Sequence, residues 1–208
     1  MNRTFLILLM ITSAMLIAVL GQKTPTVQHK YTPWDTTRTE SGLVKAFGIT
    51  LGETTIKESE ISLGKTPEIE LLTSNTDSSI GQWYELVAIY KEVIISGVIS
   101  ELRLTYQLEQ RTLQALYSSL PIKSQTEESY NISPELAAAH SSTAIADITY
   151  IPSINYGEEI IIQRFGNPEK EDVISDAVKK WLYPEIGLEI QLHANQSERF
   201  IYTNSKVN

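Results

Sequence analysis

The sequence predicts an α+β fold. We expect two small antiparallel-sheet units, each with a short helix packed on its sheet, joined by a helical middle and preceded by an N-terminal transmembrane or signal helix. Three observations lead to this prediction. Residues 1–21 contain a long uncharged apolar run. A short helical segment followed by glycine and proline occurs twice, each time before strand-like segments. Near the C-terminus Leu188, Ile190 and Leu192 alternate with polar residues, as a strand with one buried face requires.

The apolar run from Phe5 to Leu20 follows a single cation, Arg3, and indicates a segment that enters a membrane. Its length just reaches the roughly 17–25 apolar residues that a transmembrane helix needs. Val19-Leu20-Gly21 matches a signal-peptidase site poorly. We therefore expect residues 1–21 to be an uncleaved anchor, with a cleaved signal peptide as the alternative. Because the positive charge precedes the run, the N-terminus should stay in the cytoplasm.

Composition narrows the location and the function. The net charge of −8 over 208 residues argues against nucleic acid, which requires a basic face. The chain has no cysteine, so it can form no disulfide and carry no lipid on an N-terminal cysteine. Secreted animal proteins of this size usually contain disulfides. We therefore expect a single-pass bacterial inner-membrane protein whose domain faces the periplasm. If the leader is cleaved, the protein would be secreted to the periplasm.

Residues 22–41 are rich in threonine and proline and show no apolar period, which predicts an extended, solvated linker. The linker contains Trp34. This side chain could lie at the membrane interface, where tryptophan is enriched, or pack on the folded domain. The sequence does not decide between these two positions.

Residues 42–120 form the first predicted α+β unit. Residues 43–51 indicate a strand or extended segment. A short helix should begin after Thr54 and Thr55, which can act as N-cap residues, and end at Gly64, with Pro67 following. The remaining predicted elements of this unit are the strands Glu68–Leu72, Trp83–Val93 and Gly97–Leu108 and the helix Glu109–Leu120.

Residues 121–147 are predicted to be a helical connection, with a polar loop and then a helix that starts at Ser133-Pro134-Glu135. Residues 148–208 form the second predicted unit. Its elements are the strand Ile148–Ile151, the helix Glu158–Phe165, and the strands Gly187–Ala194 and Glu198–Asn204.

The two predicted units share an order: helix, glycine, proline, an aromatic pair, then two strands. In the second unit this reads Phe165-Gly166-Asn167-Pro168-Glu169, then Trp181-Leu182-Tyr183-Pro184 and a closing Phe-Ile-Tyr strand. This pattern resembles the SmpA/OmlA (BamE) family of small outer-membrane assembly lipoproteins and the wider β-lactamase-inhibitor-protein-like fold. The resemblance covers residues 151–204 and, more loosely, 48–108, and implies a tandem repeat of a mostly non-catalytic, protein-binding domain. Unlike that family, the chain lacks the lipidated cysteine, which excludes an outer-membrane lipoprotein.

Motifs that would indicate catalysis or cofactor binding are missing from the sequence. Gly64-Lys65-Thr66 lacks the earlier glycine of a phosphate-binding loop. The histidines His29, His140 and His193 are far apart, without the ligand spacing of a metal site. Glu158-Glu159 are better explained by the positive end of a helix dipole than by paired-carboxylate catalysis. We therefore predict no catalytic, cofactor-binding or metal-binding residue.

The sequence thus predicts a membrane-tethered envelope protein that binds another envelope protein and is not an enzyme. Two alternatives remain: a binder of a small envelope ligand in a groove between the two halves, and an enzyme without a recognisable motif. Large aromatic residues could form an exposed contact rim or could pack in the core. The candidates for such a rim are Trp83, Tyr84, Trp181 and Tyr183.

Overall fold

The computed structural model describes residues 31–75, 82–121 and 129–205. The strands, in chain order, are β1 (Thr37–Arg38), β2 (Val44–Ala46), β3 (Ile49–Thr50), β4 (Glu68–Asn75), β5 (Gln82–Ile95), β6 (Val98–Tyr106), β7 (Ser129–Asn131), β8 (Ile145–Pro152), β9 (Lys170–Ser175), β10 (Val178–Tyr183), β11 (Leu188–His193) and β12 (Arg199–Thr203). The helices are α1 (Ile56–Leu63), α2 (Gln110–Ser119), α3 (Pro134–Ala139) and α4 (Gly157–Phe165), and a short 3₁₀ helix covers Pro184–Ile186.

Nine of these strands form one continuous antiparallel sheet, in the order β7-β4-β5-β6-β8-β12-β11-β10-β9. Strands β4 to β6 form a meander that runs from near one edge towards the centre. Strands β9 to β12 form a second meander that runs inward from the opposite edge. Strand β8 lies between β6 and β12 and joins the two meanders. Strands β1, β2 and β3 form a separate small sheet.

The predicted α+β fold with two separate sheet units is therefore wrong: the protein is mostly β, and its main sheet is continuous. The reason lies in the backbone of β6 and β8. In separate units these two strands would each have an edge of unpaired N–H and C=O groups, which readily pair with another strand. Instead β8 pairs with β6 as well as with β12, placing Tyr150 opposite Leu102 on one side and Phe200 on the other. An apolar row thus crosses the boundary that we had expected to separate the units.

One face of the nine-stranded sheet carries the core. Alternate strand residues point to this face, among them the fully buried Tyr90, Tyr150, Phe200 and Tyr202. All helices of the described part contribute side chains to the same apolar cluster, and so does the small sheet. Phe47, just after β2, packs 5.4 Å from the ring centroids of both Tyr150 and Tyr202. The helices and the small sheet therefore lie on one side of the main sheet.

Helix α1 begins and ends where the sequence predicts. The Thr55 hydroxyl accepts a hydrogen bond from the Glu58 amide, and the Glu58 carboxylate accepts one from the Thr55 amide at 2.8 Å. Gly64 then ends the helix at φ 60°, a left-handed conformation that glycine adopts at little cost. At α4, the buried carboxylate of Glu198 accepts hydrogen bonds from the first amides, those of Tyr156 and Gly157.

Two segments differ from the sequence prediction. Residues 121–147 were expected to be a helical connection, but the described ones among them, 121 and 129–147, contain only the short helix α3, the strand β7 and the start of β8. Residues 170–175, for which the sequence predicted no helix or strand, form the edge strand β9. Strand β9 shows no apolar alternation because most of its residues are exposed. Neither of its faces is buried enough to leave a sequence signal.

The N-terminal predictions fall largely outside the described residues. This applies to the anchor or signal helix at 1–21 and to residues 22–30 of the linker. Within 31–75, 82–121 and 129–205, no helix is both long and apolar enough to cross a membrane.

The described end of the expected linker, residues 31–41, is bound to the domain. Trp34 lies 5.1 Å from Tyr156 and 6.0 Å from Phe165 between ring centroids. The Pro33 carbonyl accepts a hydrogen bond from the buried hydroxyl of Tyr202 at 2.8 Å. Of the two positions considered for Trp34, the structure shows packing on the folded domain.

Candidate functional site

The sheet face opposite the core, which we call the outer face, carries mostly polar and charged side chains. On the neighbouring strands β4, β5 and β6 its charged residues are Glu68, Glu70, Glu85, Lys91, Glu101 and Arg103. Lys91 pairs with Glu68 and Arg103 with Glu101, each at 2.5 Å. Both pairs are partly exposed, and such pairs add little stability. No helix of the described part packs on this face, since all contribute to the core cluster on the other side.

A shallow hollow of about 560 Å³ lies on this face beside Trp83; we call it the Trp83 hollow. Its lining includes Glu70, Leu72, Trp83, Glu85 and Arg103. The Trp83 side chain is 45% exposed, although so large an aromatic residue is usually well buried. The Glu70 carboxylate accepts a hydrogen bond from the Ser129 hydroxyl at 2.6 Å.

The Trp83 hollow combines an aromatic surface with negative charge. Glu85 forms no ion pair with any described residue, and the cation of Arg103 is held by Glu101. A tryptophan ring attracts cations through its negative face, and carboxylates accept hydrogen bonds from lysine and arginine. The hollow is therefore suited to a basic side chain presented by another molecule.

The other three aromatic candidates lie in the core. Tyr84 is buried and packs against Tyr117 with ring centroids 5.0 Å apart. The buried Trp181 donates a hydrogen bond from its indole nitrogen to the Glu171 carboxylate at 3.0 Å. Tyr183 is also buried. For Trp83 and Tyr84 the reason is simple: successive residues of a strand point to opposite faces, so the two cannot share one surface.

A second concavity lies on the core side of the sheet, between α1 and α3. This α1–α3 groove has a volume of about 520 Å³. Apolar residues make up much of its lining, including Pro67, Ile69, Ile132 and Ala137. Residues with polar side chains join them, among them Lys57 and Glu60 of α1, Glu68 of β4 and Tyr106 at the end of β6. The groove lies beside strand β4 and not between the two halves of the chain, where the small-ligand alternative placed it.

Buried hydroxyl groups in the core form hydrogen bonds with one another. The Tyr90 hydroxyl lies 3.1 Å from the Ser59 hydroxyl. The Tyr150 hydroxyl lies 2.9 Å from that of Tyr156 and accepts a hydrogen bond from Ser100 at 3.2 Å. Burial raises the pKa of Tyr90 to about 12, against the weaker opposing effect of the Ser59 hydrogen bond. These hydroxyls therefore stay neutral and satisfy each other inside the core.

The motifs weighed for catalysis take structural positions. Gly64 of Gly64-Lys65-Thr66 ends a helix, whereas a phosphate-binding loop precedes one. Of the histidines, His140 follows α3 and His29 lies outside the described residues. The Nε2 atom of His193 is buried without a hydrogen-bond partner in the described part of the chain. In that same part, no group of three or more histidine, cysteine, aspartate or glutamate residues could hold a metal ion.

Sequence reasoning did not single out Glu60, Glu70, Glu85 or Tyr106. Glu70 of β4 lies opposite Val87 of β5, and Leu72 lies opposite Glu85. Because Val87 and Glu85 are neighbouring positions on the same face of β5, this register brings Glu70 and Glu85 together. That register cannot be read from the sequence without knowing which strands pair. Comparison with known proteins adds no second source of assignment: no protein-family model, curated protein or solved structure matches this chain.

Proposed function

We propose that this chain is a membrane-tethered protein of the cell envelope that binds another envelope protein through the Trp83 hollow, without catalysis. The observation that carries the proposal is the exposure of Trp83 on a sheet face that no described helix covers. Tryptophan is among the residues that most often dominate binding energy at protein interfaces. An exposed tryptophan on a rigid strand needs little reorganisation before it binds.

The charges of the hollow favour a basic partner surface. Glu70 and Glu85 line the hollow together with Trp83, and the whole chain has a net charge of −8. Opposite potentials speed association and exclude partners of like charge. A partner segment with a lysine or arginine could place its cation on the Trp83 ring and its N–H groups on the two carboxylates.

The apolar segment at residues 1–21 supports the proposal that the protein is tethered to a membrane. An uncharged run after Arg3 would hold the domain at the membrane on the extracytoplasmic side. The resemblance of residues 151–204 to the SmpA/OmlA family supports a binding role instead of an enzymatic one. Confinement to a membrane also raises the effective concentration of a partner in the same envelope.

Site-specific photocrosslinking in cells that express the full chain tests the binding surface. A photoreactive amino acid placed at Trp83 should crosslink a discrete partner. The same group at Ile61, which is 76% exposed on α1, is the matched control and should not crosslink that partner. Equal crosslinking from both positions, or none from Trp83, would reject the outer face as the contact surface.

Two variants then test the chemistry of that contact. Trp83→Ala should weaken the free energy of binding to the crosslinked protein by about 2 kcal/mol or more, the usual cost of losing an interface hot spot. Less of that protein should then copurify with the variant. The pair Glu70→Gln and Glu85→Gln should reduce the association rate and its dependence on salt. An acidic partner segment at the crosslink, or unchanged binding of both variants, would contradict the basic-partner proposal.

The proposed membrane anchor and the orientation of the domain can be tested separately. The mass of the mature protein distinguishes an anchor from a cleaved signal peptide, and a chain that starts near Gln22 would refute the anchor. Protease added to cells with opened outer membranes should digest the domain if it faces the periplasm. Resistance under these conditions would refute that orientation.

A further inference from the structure

The α1–α3 groove has the dimensions and lining of a small-molecule site, and it lies on the opposite side of the sheet from the Trp83 hollow. Its volume of about 520 Å³ falls within the range of roughly 300–1,000 Å³ that is typical of ligand pockets. Such pockets are mainly apolar, with a few polar groups that orient the ligand. Here the apolar walls come from α3, β4 and the residues beside them.

Tyr106 is the first of the orienting groups. The residue is 3% exposed and lines the groove. Its hydroxyl is not one of the fully buried atoms of the described part that lack a partner, so it does not need a ligand to satisfy it. A hydroxyl that lines a pocket can nevertheless donate a hydrogen bond to a ligand or accept one from it.

Glu60 is the second orienting group. It lines the groove together with Tyr106. Burial, then Tyr90 and then the Glu60 charge raise the pKa of Tyr106. In the described part of the chain Glu60 forms no ion pair. The other carboxylate of the lining, Glu68, is neutralised by Lys91, and the lining cation Lys57 is exposed. Glu60, which is half-buried, is therefore the carboxylate of the lining that is free to bind a cation.

We propose that the α1–α3 groove binds a small molecule with an apolar body and a primary ammonium group. The ammonium donates hydrogen bonds to the Glu60 carboxylate and to the hydroxyl oxygen of Tyr106. The apolar body lies against Ile69, Ile132 and Ala137. This site is independent of the protein-binding role proposed above.

Three probes with the same skeleton test the charge preference: 4-phenylbutylamine, 4-phenylbutanol and 4-phenylbutyrate. Binding is measured by equilibrium dialysis against the full chain in lipid nanodiscs, with uptake by empty nanodiscs subtracted. The amine should bind saturably at one site per chain, about tenfold or more tighter than the alcohol, because a hydrogen bond to a charged group is the stronger one. The acid should bind most weakly. Absence of saturable amine binding, or equal binding of the acid, would overturn the proposal.

Variants locate the site. Glu60→Gln should lower the affinity for the amine about tenfold and leave the affinity for the alcohol unchanged. Tyr106→Phe should lower the affinity for the amine by a smaller factor. Ala138→Trp, at an exposed position in the lining, should fill the groove and abolish binding of both probes. Glu158→Gln is the matched control, since Glu158 is an exposed acid outside the groove, and it should bind like the parent chain.

Circular dichroism first confirms that each variant is folded. Unchanged amine affinity in folded Glu60→Gln or Ala138→Trp would place the binding elsewhere and reject the groove. Trp83→Ala separates the two proposals: it should bind the amine normally even if it loses the protein partner.

Discussion

The hydroxyl group of Tyr183 donates a hydrogen bond to the carbonyl oxygen of Gly166 at 3.1 Å. Tyr183 is the last residue of β10 and Gly166 follows the last residue of α4, so this bond joins the end of the helix to the sheet. The rings of Tyr183 and Phe165 lie 5.6 Å apart between centroids and add an apolar contact at the same place. Tyr183 is therefore a packing residue that holds α4 on the core face.

We expect Tyr183→Ala to lower the free energy of unfolding by about 3 kcal/mol or more, because it leaves a cavity in the core. Tyr183→Phe removes only the hydrogen bond and should cost about 1 kcal/mol. Urea unfolding followed by circular dichroism measures both. The matched control is Trp83→Ala on the outer face, which should change stability by less than about 0.5 kcal/mol. If Trp83→Ala proves as destabilising as Tyr183→Ala, Trp83 is not the free surface residue described above.

Gly187 is predicted to be intolerant of a side chain. It follows the 3₁₀ helix at φ 63°, and a Cβ atom there would clash with the carbonyl oxygen of Thr203 and the side chain of Val44. Gly187→Ala should therefore lower the free energy of unfolding by about 2 kcal/mol or more, from backbone strain and overpacking together. Gly97→Ala is the control, since Gly97 has φ 85° but no heavy atom within 4 Å of an added Cβ. Gly97→Ala should lower the free energy of unfolding only by the backbone strain, about 1 kcal/mol. If both variants lose the same free energy of unfolding, the predicted clash at Gly187 is contradicted.

Trp34 should contribute to stability even though it lies just outside the sheets. Its ring contacts Tyr156 and Phe165, and the guanidinium carbon of Arg164 lies 5.4 Å from the ring centroid. Trp34→Ala should cost about 2 kcal/mol because the side chain is only partly buried. Arg164→Ala should cost about 0.5–1 kcal/mol, the range of an exposed cation–π contact. A neutral Trp34→Ala in urea unfolding would show that residues 31–41 do not stabilise the domain.

Local signals in the sequence predicted individual elements well. The helix after Thr55 and the stop at Gly64 are confirmed, because a capping box and a left-handed glycine depend only on neighbouring residues. The alternation of Leu188, Ile190 and Leu192 likewise corresponds to β11, whose residues alternate between buried and partly exposed positions. The strand β9 gave no such signal, since most of its residues are exposed.

Pairing between distant strands could not be predicted in the same way. Whether β8 joins β6 to β12 depends on contacts between residues about 50 positions apart in the chain, such as Ser100 and Tyr150. Apolar alternation shows which face of a strand is buried but not which strand lies beside it. The candidate sites depend on this information: Trp83 was identified as a candidate, whereas the acids beside it and the α1–α3 groove were not.

Alkaline pH should unfold this protein through its buried tyrosines. Burial raises the pKa of Tyr90 and of Tyr183 to about 12, and it raises those of Tyr106, Tyr150 and Tyr202 as well. In the unfolded chain a tyrosine ionises near pH 10. Since the folded state binds these protons more tightly, their contribution to stability is complete below about pH 10 and is lost as the pH rises from there towards 12. Urea unfolding should therefore give a nearly constant free energy from about pH 7 to pH 9 and a steep fall above pH 10. A double variant, Tyr90→Phe with Tyr183→Phe, should be less stable at neutral pH but lose stability less steeply above pH 10, because it has two fewer protons to release. The same slope in the variant and the parent chain would show that these two hydroxyls do not drive the alkaline transition.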